Sequence, residues 1–274
     1  MPVSDGIRVH RYPMHPLLGR HQRLDGRSLS FIRRHFGRYL KPTLHEPAVP
    51  VLDQSDLDAQ GIDTSTLIPG APKVTQLGSC SGQTSTEAVS RILTPAAALQ
   101  VGLDYSSSVS AEEWAICQYA AATDVDDCPG EWPSTDTGSS GLANAMVLKR
   151  RGLIGGYEHA LDGEGFADLL QDDGVMIGMP WLNAFFEPDA SGFIDSSPTW
   201  LSSGLAGGHE IYGMGLEKIV LDAIGRVDLD KSVAVARNHW TESWGDAGCF
   251  RFRLRTLFGT PLRRGVDLIQ LKGV

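Results

Sequence analysis

The feature that most constrains this chain is a cysteine placed at the start of a predicted helix, in the stretch QLGSCSGQTSTEAVSRIL at residues 76–93. Small residues on both sides leave the sulfur of Cys80 uncrowded. The apolar residues that follow recur at helical spacing and predict a buried helix face that ends at Thr94 and Pro95. A thiol at a helix N-terminus lies near unpaired N–H groups and the positive end of the helix dipole, which favours the thiolate. Cys80 is therefore either a nucleophile or a small buried residue in a tight turn.

Length and composition are those of an ordinary globular protein. The chain has 274 residues, of which 42% are hydrophobic and 21% charged, so it can bury one sizeable core. No apolar run approaches the roughly 18 residues of a membrane span. The N-terminus lacks the apolar core of a signal peptide. These features predict a protein without a membrane segment, located in the cytoplasm or associated with a virion.

The four cysteines are too few for a disulfide framework in a chain of this length. A bridge between Cys117 and Cys128 is left open by their spacing. Reduced thiols inside a cell are the favoured state.

Charge is distributed unevenly along the chain. Residues 1–45 carry nine Lys and Arg against two Asp, a net charge of +7, whereas the whole chain has a net charge of −9. We therefore predict that residues 1–47 form a basic arm that packs on an acidic surface of its own domain or of a partner subunit. Nucleic-acid binding is disfavoured, because the rest of the chain is strongly acidic and no basic motif is interleaved with aromatic residues.

Residues 48–274 are predicted to form one α+β domain. Helical patterns dominate about residues 75–172, and apolar or alternating runs typical of strands dominate about residues 173–274. Segregated helices and strands predict two halves that pack together, and the cleft between such halves is a natural place for a binding site.

Residues 124–135 do not fit a calcium loop. Asp124, Asp126 and Asp127 resemble the start of a calcium loop, but such a loop needs a glycine at its sixth position and a glutamate at its twelfth. Pro129 and Thr135 occupy those positions. We therefore predict no metal and no cofactor.

A thiolate nucleophile needs a base and a residue that orients the base. Outside the basic arm the candidate bases are His159, His209 and His239. His209 lies in LAGGHEIYGMG, where glycines precede a predicted strand and allow a substrate to approach closely. His159 and His239 are weaker candidates, because the first lies in a polar loop and the second is adjacent to Asn238.

The block from Asn238, NHWTESWGDAGCFRF, resembles a pattern of the papain-like cysteine peptidases. Their pattern is Asn-Ser-Trp-Gly-x-x-Trp-Gly-x-x-Gly-Tyr-x-Arg, and here Cys249 replaces the tyrosine. The chain order Cys80, His209, Asn238 also agrees with that family. Short blocks across roughly residues 65–260 carry the resemblance, and the short Gly-Ser-Cys block is similar to bacterial and phage members.

The resemblance implies a two-lobed fold with a helical N-terminal lobe, an antiparallel β-barrel-like C-terminal lobe and the active site between them. It implies hydrolysis of peptide or isopeptide bonds in peptide or protein substrates, through a thioester acyl-enzyme. The implied roles are nucleophile for Cys80, base for His209, orienting residue for Asn238, shield for Trp240, and substrate-backbone binding for Gly138, Ser139 and Gly208.

Two departures from the family bear on activity. The oxyanion glutamine of the family lies six residues before the cysteine, where this chain has Val74. Gln76 is the only amide close by in sequence and becomes the oxyanion candidate, the alternative being an ordinary surface residue. The family's inhibitory pro-segment is also not recognisable in residues 1–47.

Two other interpretations remain open. Gly78 to Gly82 would also fit a nucleophile elbow with cysteine in place of serine, but the two prolines in LIPGAPKVTQL make a poor preceding strand. Alternatively, the chain is a catalytically weak or inactive papain-like scaffold that serves as a structural or binding subunit, for instance of a phage particle.

Overall fold

An antiparallel sheet of seven strands organises the part of the chain that the computed structural model describes, residues 7–10, 15, 17–25 and 41–274. The strands are β1 Ile7–His10, β2 Gln22–Asp25, β3 Thr43–Leu44, β4 Gly156–His159, β5 Val175–Leu182, β6 Leu205–Lys218, β7 Val233–Arg237, β8 Cys249–Arg253 and β9 Asp267–Lys272. The order in the sheet is β4-β9-β5-β6-β7-β8, and β3 pairs with β6. Strands β1 and β2 pair only with each other in the described residues.

Helices cover this sheet. They are α1 Thr64–Leu67, α2 Cys80–Ser90, α3 Pro95–Gln100, α4 Ser108–Thr123, α5 Gly141–Arg150, α6 Gly163–Asp172 and α7 Arg255–Phe258, with short 3-10 helices at Asn183–Phe186, Trp200–Ser202 and Pro261–Gly265. Helix α2 packs against α4, α5 and β6. The predicted α+β class is confirmed. The predicted barrel-like closure is wrong, because in the described residues β4 and β8 are the two ends of an open sheet.

Strand β5 lies in the middle of the sheet and is buried along its whole length. Ile177, Met179 and Trp181 face one hydrophobic cluster, and Met176 faces a second cluster that it shares with residues of α2 and α4. Because both faces of the sheet are covered, the strand is a continuous apolar run rather than an alternating one. Strand β5 pairs with β6 so that Met179 lies opposite His209.

Two element boundaries differ from the sequence prediction. Helix α2 ends at Ser90, and Thr94 begins the next helix, because its side chain accepts a hydrogen bond from the Ala97 N–H at 3.3 Å. Strand β4 lies within the predicted helical half but pairs with β9 near the C-terminus. Its four residues are too short to show a clear strand period in the sequence.

Much of the predicted basic arm lies outside the described residues, namely residues 1–6, 11–14, 16 and 26–40. Within the arm, Thr43–Leu44 pairs with Gly215 and Leu216 of β6. Cys117 is a free, exposed thiol, so the bridge to Cys128 is not formed. Across the described residues no helix is both long and apolar enough to cross a bilayer, and no group of three metal-ligating side chains is found.

Candidate active site

Cys80 is the first residue of helix α2, and its side chain is completely buried. Burial and the nearby Glu210 carboxylate raise the pKa of the Cys80 thiol to about 12. Backbone N–H groups of Glu210 and Gly19 and the Arg20 charge work against that rise. The thiol is therefore neutral at pH 7 in this structure, although it occupies the helix position that favours a thiolate.

His209 and Asn238 lie on neighbouring chain segments, in β6 and directly after β7. His209 Nε2 lies 2.7 Å from Asn238 Oδ1, which also accepts a hydrogen bond from the His239 N–H at 2.9 Å. Because this oxygen is an acceptor, Nε2 carries the proton and Nδ1 has the lone pair. Nδ1 has no hydrogen-bond partner in the described residues. Burial lowers the pKa of His209 to about 3, so the imidazole is neutral.

Two tryptophans enclose this imidazole. The ring of Trp240 stacks on His209 at 4.9 Å between centroids and an interplanar angle of 17°, and Trp181 contacts His209 edge-on at 4.8 Å. Both rings belong to the same hydrophobic cluster. His209 and Asn238 are both completely buried.

Residues 17–22, here called the N-terminal segment, occupy the site. The Ser139 N–H donates to the Gly19 carbonyl at 2.6 Å, and the His21 N–H donates to the Ser139 carbonyl at 2.7 Å. The Arg20 N–H donates to the Gly208 carbonyl at 3.0 Å. Ser139 and Gly208, two of the residues implied to bind substrate backbone, thus hold an extended peptide beside Cys80.

The segment passes through the site at a glycine. A Cβ atom on Gly19 would lie 1.5 Å from the Gly78 carbonyl oxygen, so no other residue fits there without displacement. Gly138, the third implied substrate-binding residue, has a φ of +72°, which favours glycine. A Cβ atom on Gly138 would lie 2.1 Å from the Gly19 carbonyl oxygen. Leu18 packs into the hydrophobic cluster of Trp181 and Trp240.

Gln76, which the sequence suggested as the oxyanion donor, does not lie among these buried contacts. Gln76 is exposed, and its side chain makes no hydrogen bond in the described residues. Gln54 is buried instead, and its Nε2 donates to the carbonyls of Leu17 at 3.1 Å and Leu77 at 3.2 Å. Sequence reasoning missed Gln54 because it lies 26 positions before Cys80 and is brought in by tertiary contacts. Its backbone N–H donates to the His239 carbonyl at 3.1 Å.

The two weaker histidine candidates have other surroundings. His239 is buried and its Nε2 lies 2.9 Å from Glu87 Oε2, so this ring is held in an ion-pair network of α2. His159 lies at the end of β4 and contacts the Tyr157 ring, and burial lowers its pKa to about 4. In the described residues, neither histidine forms a hydrogen bond with the N-terminal segment.

Comparison with solved structures shows a papain-like fold. The chain is similar to xylellain, a cysteine protease from Xylella fastidiosa, with 13% identity over 97% of this chain and 98% of that chain and a TM-score of 0.59. It is also similar to procathepsin L 3 of the Tenebrio molitor larval midgut, with 14% identity over 88% of this chain and 73% of that chain and a TM-score of 0.50. No protein-family model and no curated protein sequence matches. At these identities the likeness establishes the fold alone.

Proposed function

We propose that this papain-fold chain is a cysteine peptidase that hydrolyses peptide or isopeptide bonds through Cys80, His209 and Asn238. One observation carries the proposal: the chain's own residues 19–21 are held as an extended peptide beside Cys80 by the backbone of Ser139 and Gly208. A site that binds one peptide backbone by these groups can bind another. The short Gly-Ser-Cys block continues to suggest a bacterial or phage-type member, and that remains a prediction.

The first half of the reaction forms a thioester. His209 Nδ1 takes the proton of the Cys80 thiol, and the sulfur attacks the carbonyl carbon of the substrate amide. The C–N bond then breaks, and the leaving amine takes the proton back from Nδ1. Asn238 Oδ1 keeps the Nε2 proton in place, so Nδ1 is the atom that exchanges protons.

The second half consumes a water molecule. His209 Nδ1 removes a proton from the water, whose oxygen attacks the thioester carbonyl. The C–S bond breaks, the carboxylic product leaves, and the sulfur regains the proton from His209. Water and one amide are thus converted into one amine and one acid.

Developing charge on the carbonyl oxygen needs donors. We assign the Cys80 backbone N–H and the Gln54 side-chain amide. Gln54 Nε2 already donates to a peptide carbonyl of the N-terminal segment, that of Leu17, two residues before Gly19. Gln76 is too exposed to be the preferred donor.

The proposed enzyme is latent in the described state. The N-terminal segment occupies the backbone-binding groups, the Cys80 thiol is protonated at pH 7, and His209 is neutral. The Gly19 N–H lowers the pKa of the Cys80 thiol, which puts this group on the side of the segment nearest the sulfur, and an N–H group cannot be attacked by a nucleophile. Release of the segment would hydrate the site and let the thiolate–imidazolium pair form.

The test uses the full chain, the Cys80→Ala variant and a Gly19→Ala variant that cannot seat the segment. We expect iodoacetamide to label Cys80 at neutral pH in the Gly19→Ala chain, and mass spectrometry of a peptide library to detect cleavage by that chain. Adding Cys80→Ala should abolish both. Labelling of the exposed Cys117 is expected in every variant and is separated from that of Cys80 by peptide mapping. Cleavage that survives without Cys80 would place the nucleophile elsewhere.

The inactive scaffold remains the second candidate, because Cys80 is completely enclosed and its pKa is raised. The Gly19→Ala chain separates the two readings. A scaffold would stay unreactive and cleave nothing even with its segment unseated, whereas a latent peptidase would gain both properties.

A further inference from the structure

A buried pocket beside Cys80 holds the side chain of Arg20. The guanidinium is completely buried, its Nη1 donates to the Gly265 carbonyl at 2.6 Å, and its Nη2 pairs with Asp267. Its Nε lies 3.9 Å from Glu210 Oε2. Glu210 follows His209 in the chain, and its carboxyl raises the pKa of the Cys80 thiol, so the pocket lies close to the proposed nucleophile.

The pocket is shaped for a long side chain. A Cβ on Gly178 would lie 2.4 Å from Arg20 Nε and 1.9 Å from Asp267 Oδ1, so glycine leaves the space that the guanidinium fills. Gly141 leaves similar space for Glu210, whose Oε2 accepts a hydrogen bond from the Gly141 N–H at 3.2 Å. The backbone of Gly141 thus holds the Glu210 carboxyl in position.

The pocket is acidic. Glu210 is completely buried and Asp267 nearly so, and burial and the charge of Asp267 raise the pKa of Glu210 to about 8, against the opposing effect of Arg20. Glu210 Oε1 has no hydrogen-bond partner in the described residues, so the pocket holds unused acceptor capacity. A buried carboxylate without a counter-charge is strongly unfavourable, and Arg20 supplies the charge that faces Asp267.

The geometry suits arginine better than lysine. The Gly265 carbonyl accepts from Nη1, Asp267 pairs with Nη2, and Glu210 Oε2 lies 3.9 Å from Nε, beyond hydrogen-bond distance. A planar fork with five N–H donors can address them together, whereas a lysine ammonium is a single point charge.

We propose that Glu210, Asp267 and the Gly265 carbonyl form a specificity pocket for an arginine side chain, with Arg20 of the N-terminal segment as its resident occupant. Substrates or inhibitors that displace the segment carry arginine at the position that enters this pocket. The substrate part rests on the proposed peptidase function, whereas the binding part does not.

The binding test uses the full-length Cys80→Ala, Arg20→Ala chain, whose pocket is vacated. The probes are the peptide HPLLGRHQRLD, which copies residues 15–25, and the same peptide with citrulline at the Arg20 position. Citrulline keeps the shape and loses the charge. We expect the arginine peptide to bind at least about tenfold more tightly in calorimetry, in line with charge-assisted hydrogen bonds.

Pocket variants make the test specific. Adding Asp267→Asn should reduce the arginine-to-citrulline ratio to about threefold or less. Glu210→Gln should act in the same direction with a smaller effect at pH 7, because the pKa of Glu210 is about 8. Glu217→Gln, an exposed acid on the same strand as Glu210, is the matched control and should leave the ratio unchanged. Circular dichroism confirms that each variant is folded, and either pocket variant is sufficient if the other does not fold. Equal binding of the two peptides by the folded parent chain would overturn the pocket.

The cleavage test uses the Arg20→Ala chain on a peptide library. Enrichment of arginine at one position, lost with Asp267→Asn, supports the pocket as a substrate determinant. Cleavage that depends on Cys80 without basic enrichment overturns that role and leaves the peptidase standing. No cleavage, together with arginine-selective binding, overturns the peptidase and leaves the pocket standing.

Discussion

Two glutamates of this protein are completely buried beside an arginine, and they differ in where the arginine comes from. Glu87 of α2 pairs with Arg237 at 2.7 Å and with His239 at 2.9 Å, and all three belong to the folded domain. Glu210 of β6 instead faces Arg20 of the N-terminal segment. The first cluster is complete without residues 17–22, and the second is not.

The two clusters therefore differ in whether their arginine can leave the domain. Arg237 also donates to the Val49 carbonyl at 2.7 Å, so it is fixed by several partners of the domain. Arg20 is fixed only as long as the segment is seated between Gly78 and Gly138. We therefore expect the Glu87 cluster to determine stability and the Glu210 cluster to determine access to Cys80. Five experiments follow, in order of decreasing expected effect.

The largest effect is expected at Glu87. Glu87→Gln removes the charge but keeps the shape, and it leaves Arg237 buried without a carboxylate. Breaking a buried pair in this way lowers the free energy of unfolding by about 3–5 kcal/mol. Urea unfolding at pH 7 measures it, with Arg20→Ala as the comparison. A larger loss of stability in Arg20→Ala than in Glu87→Gln would reverse the division.

Gln54 and Gln76 test the site without touching either cluster. In a Gly19→Ala background, Gln54→Ala should lower kcat by about 10²–10³, the usual effect of removing one oxyanion donor. Gln76→Ala should leave kcat unchanged because the side chain is exposed. Steady-state kinetics on any cleaved peptide gives both values. A larger effect at Gln76 would return the oxyanion role to it.

Thiol labelling against pH is the third experiment. The pKa of Cys80 is about 12 with the segment in place, since burial opposes the thiolate. Iodoacetamide labelling of the native chain should therefore be slow at pH 7 and rise only at alkaline pH. In Arg20→Ala the hydrated thiol should have a lower pKa, and labelling at pH 7 should rise by about tenfold or more. Identical profiles would mean that Arg20 does not hold the segment.

The burial of His209 also predicts how the free energy of unfolding depends on pH. The pKa of His209 is lowered to about 3 in the folded chain, whereas an unfolded histidine takes up a proton below about 6.5. The unfolded state therefore binds more protons between these values, and stability falls as the pH falls from 6.5 towards 3. His209→Gln should weaken this dependence in urea unfolding at pH 7 and pH 4.5. His159, with a pKa of about 4, contributes the same sign and remains in the variant.

The smallest effect is expected at an exposed pair. Arg251 lies 2.9 Å from Glu217 and 2.7 Å from Asp246, and these side chains are solvent-accessible. Arg251→Ala should change the free energy of unfolding by about 0–1 kcal/mol, because surface pairs are screened by water and salt. This variant calibrates the urea measurements.

Much of the site was predictable because its signals are local. The helix after Cys80, the strand containing His209 and the asparagine that follows β7 were each marked by periodicity or by a short motif. The open sheet was not predictable, because strand order depends on contacts between distant segments such as β4 and β9. Gln54 was missed for the same reason.

The surface on which a basic arm would pack was also not predictable, and the arm itself stays a prediction. Its net charge indicated an acidic surface, but composition could not tell which surface. Within the described residues, Arg20 lies within ion-pair distance of two acids separated by more than 50 residues, Glu210 and Asp267. Neither stands out in the sequence, because isolated acids on strands are common.

The pairing of Thr43–Leu44 with β6 has a consequence for how the site opens. It joins the chain to the domain 21 residues after the segment, so a released segment stays covalently attached and returns by an intramolecular step. The effective concentration of an attached segment can reach about millimolar. Diluting the protein will not activate it, and a competing peptide must overcome that local concentration before it reaches the sulfur.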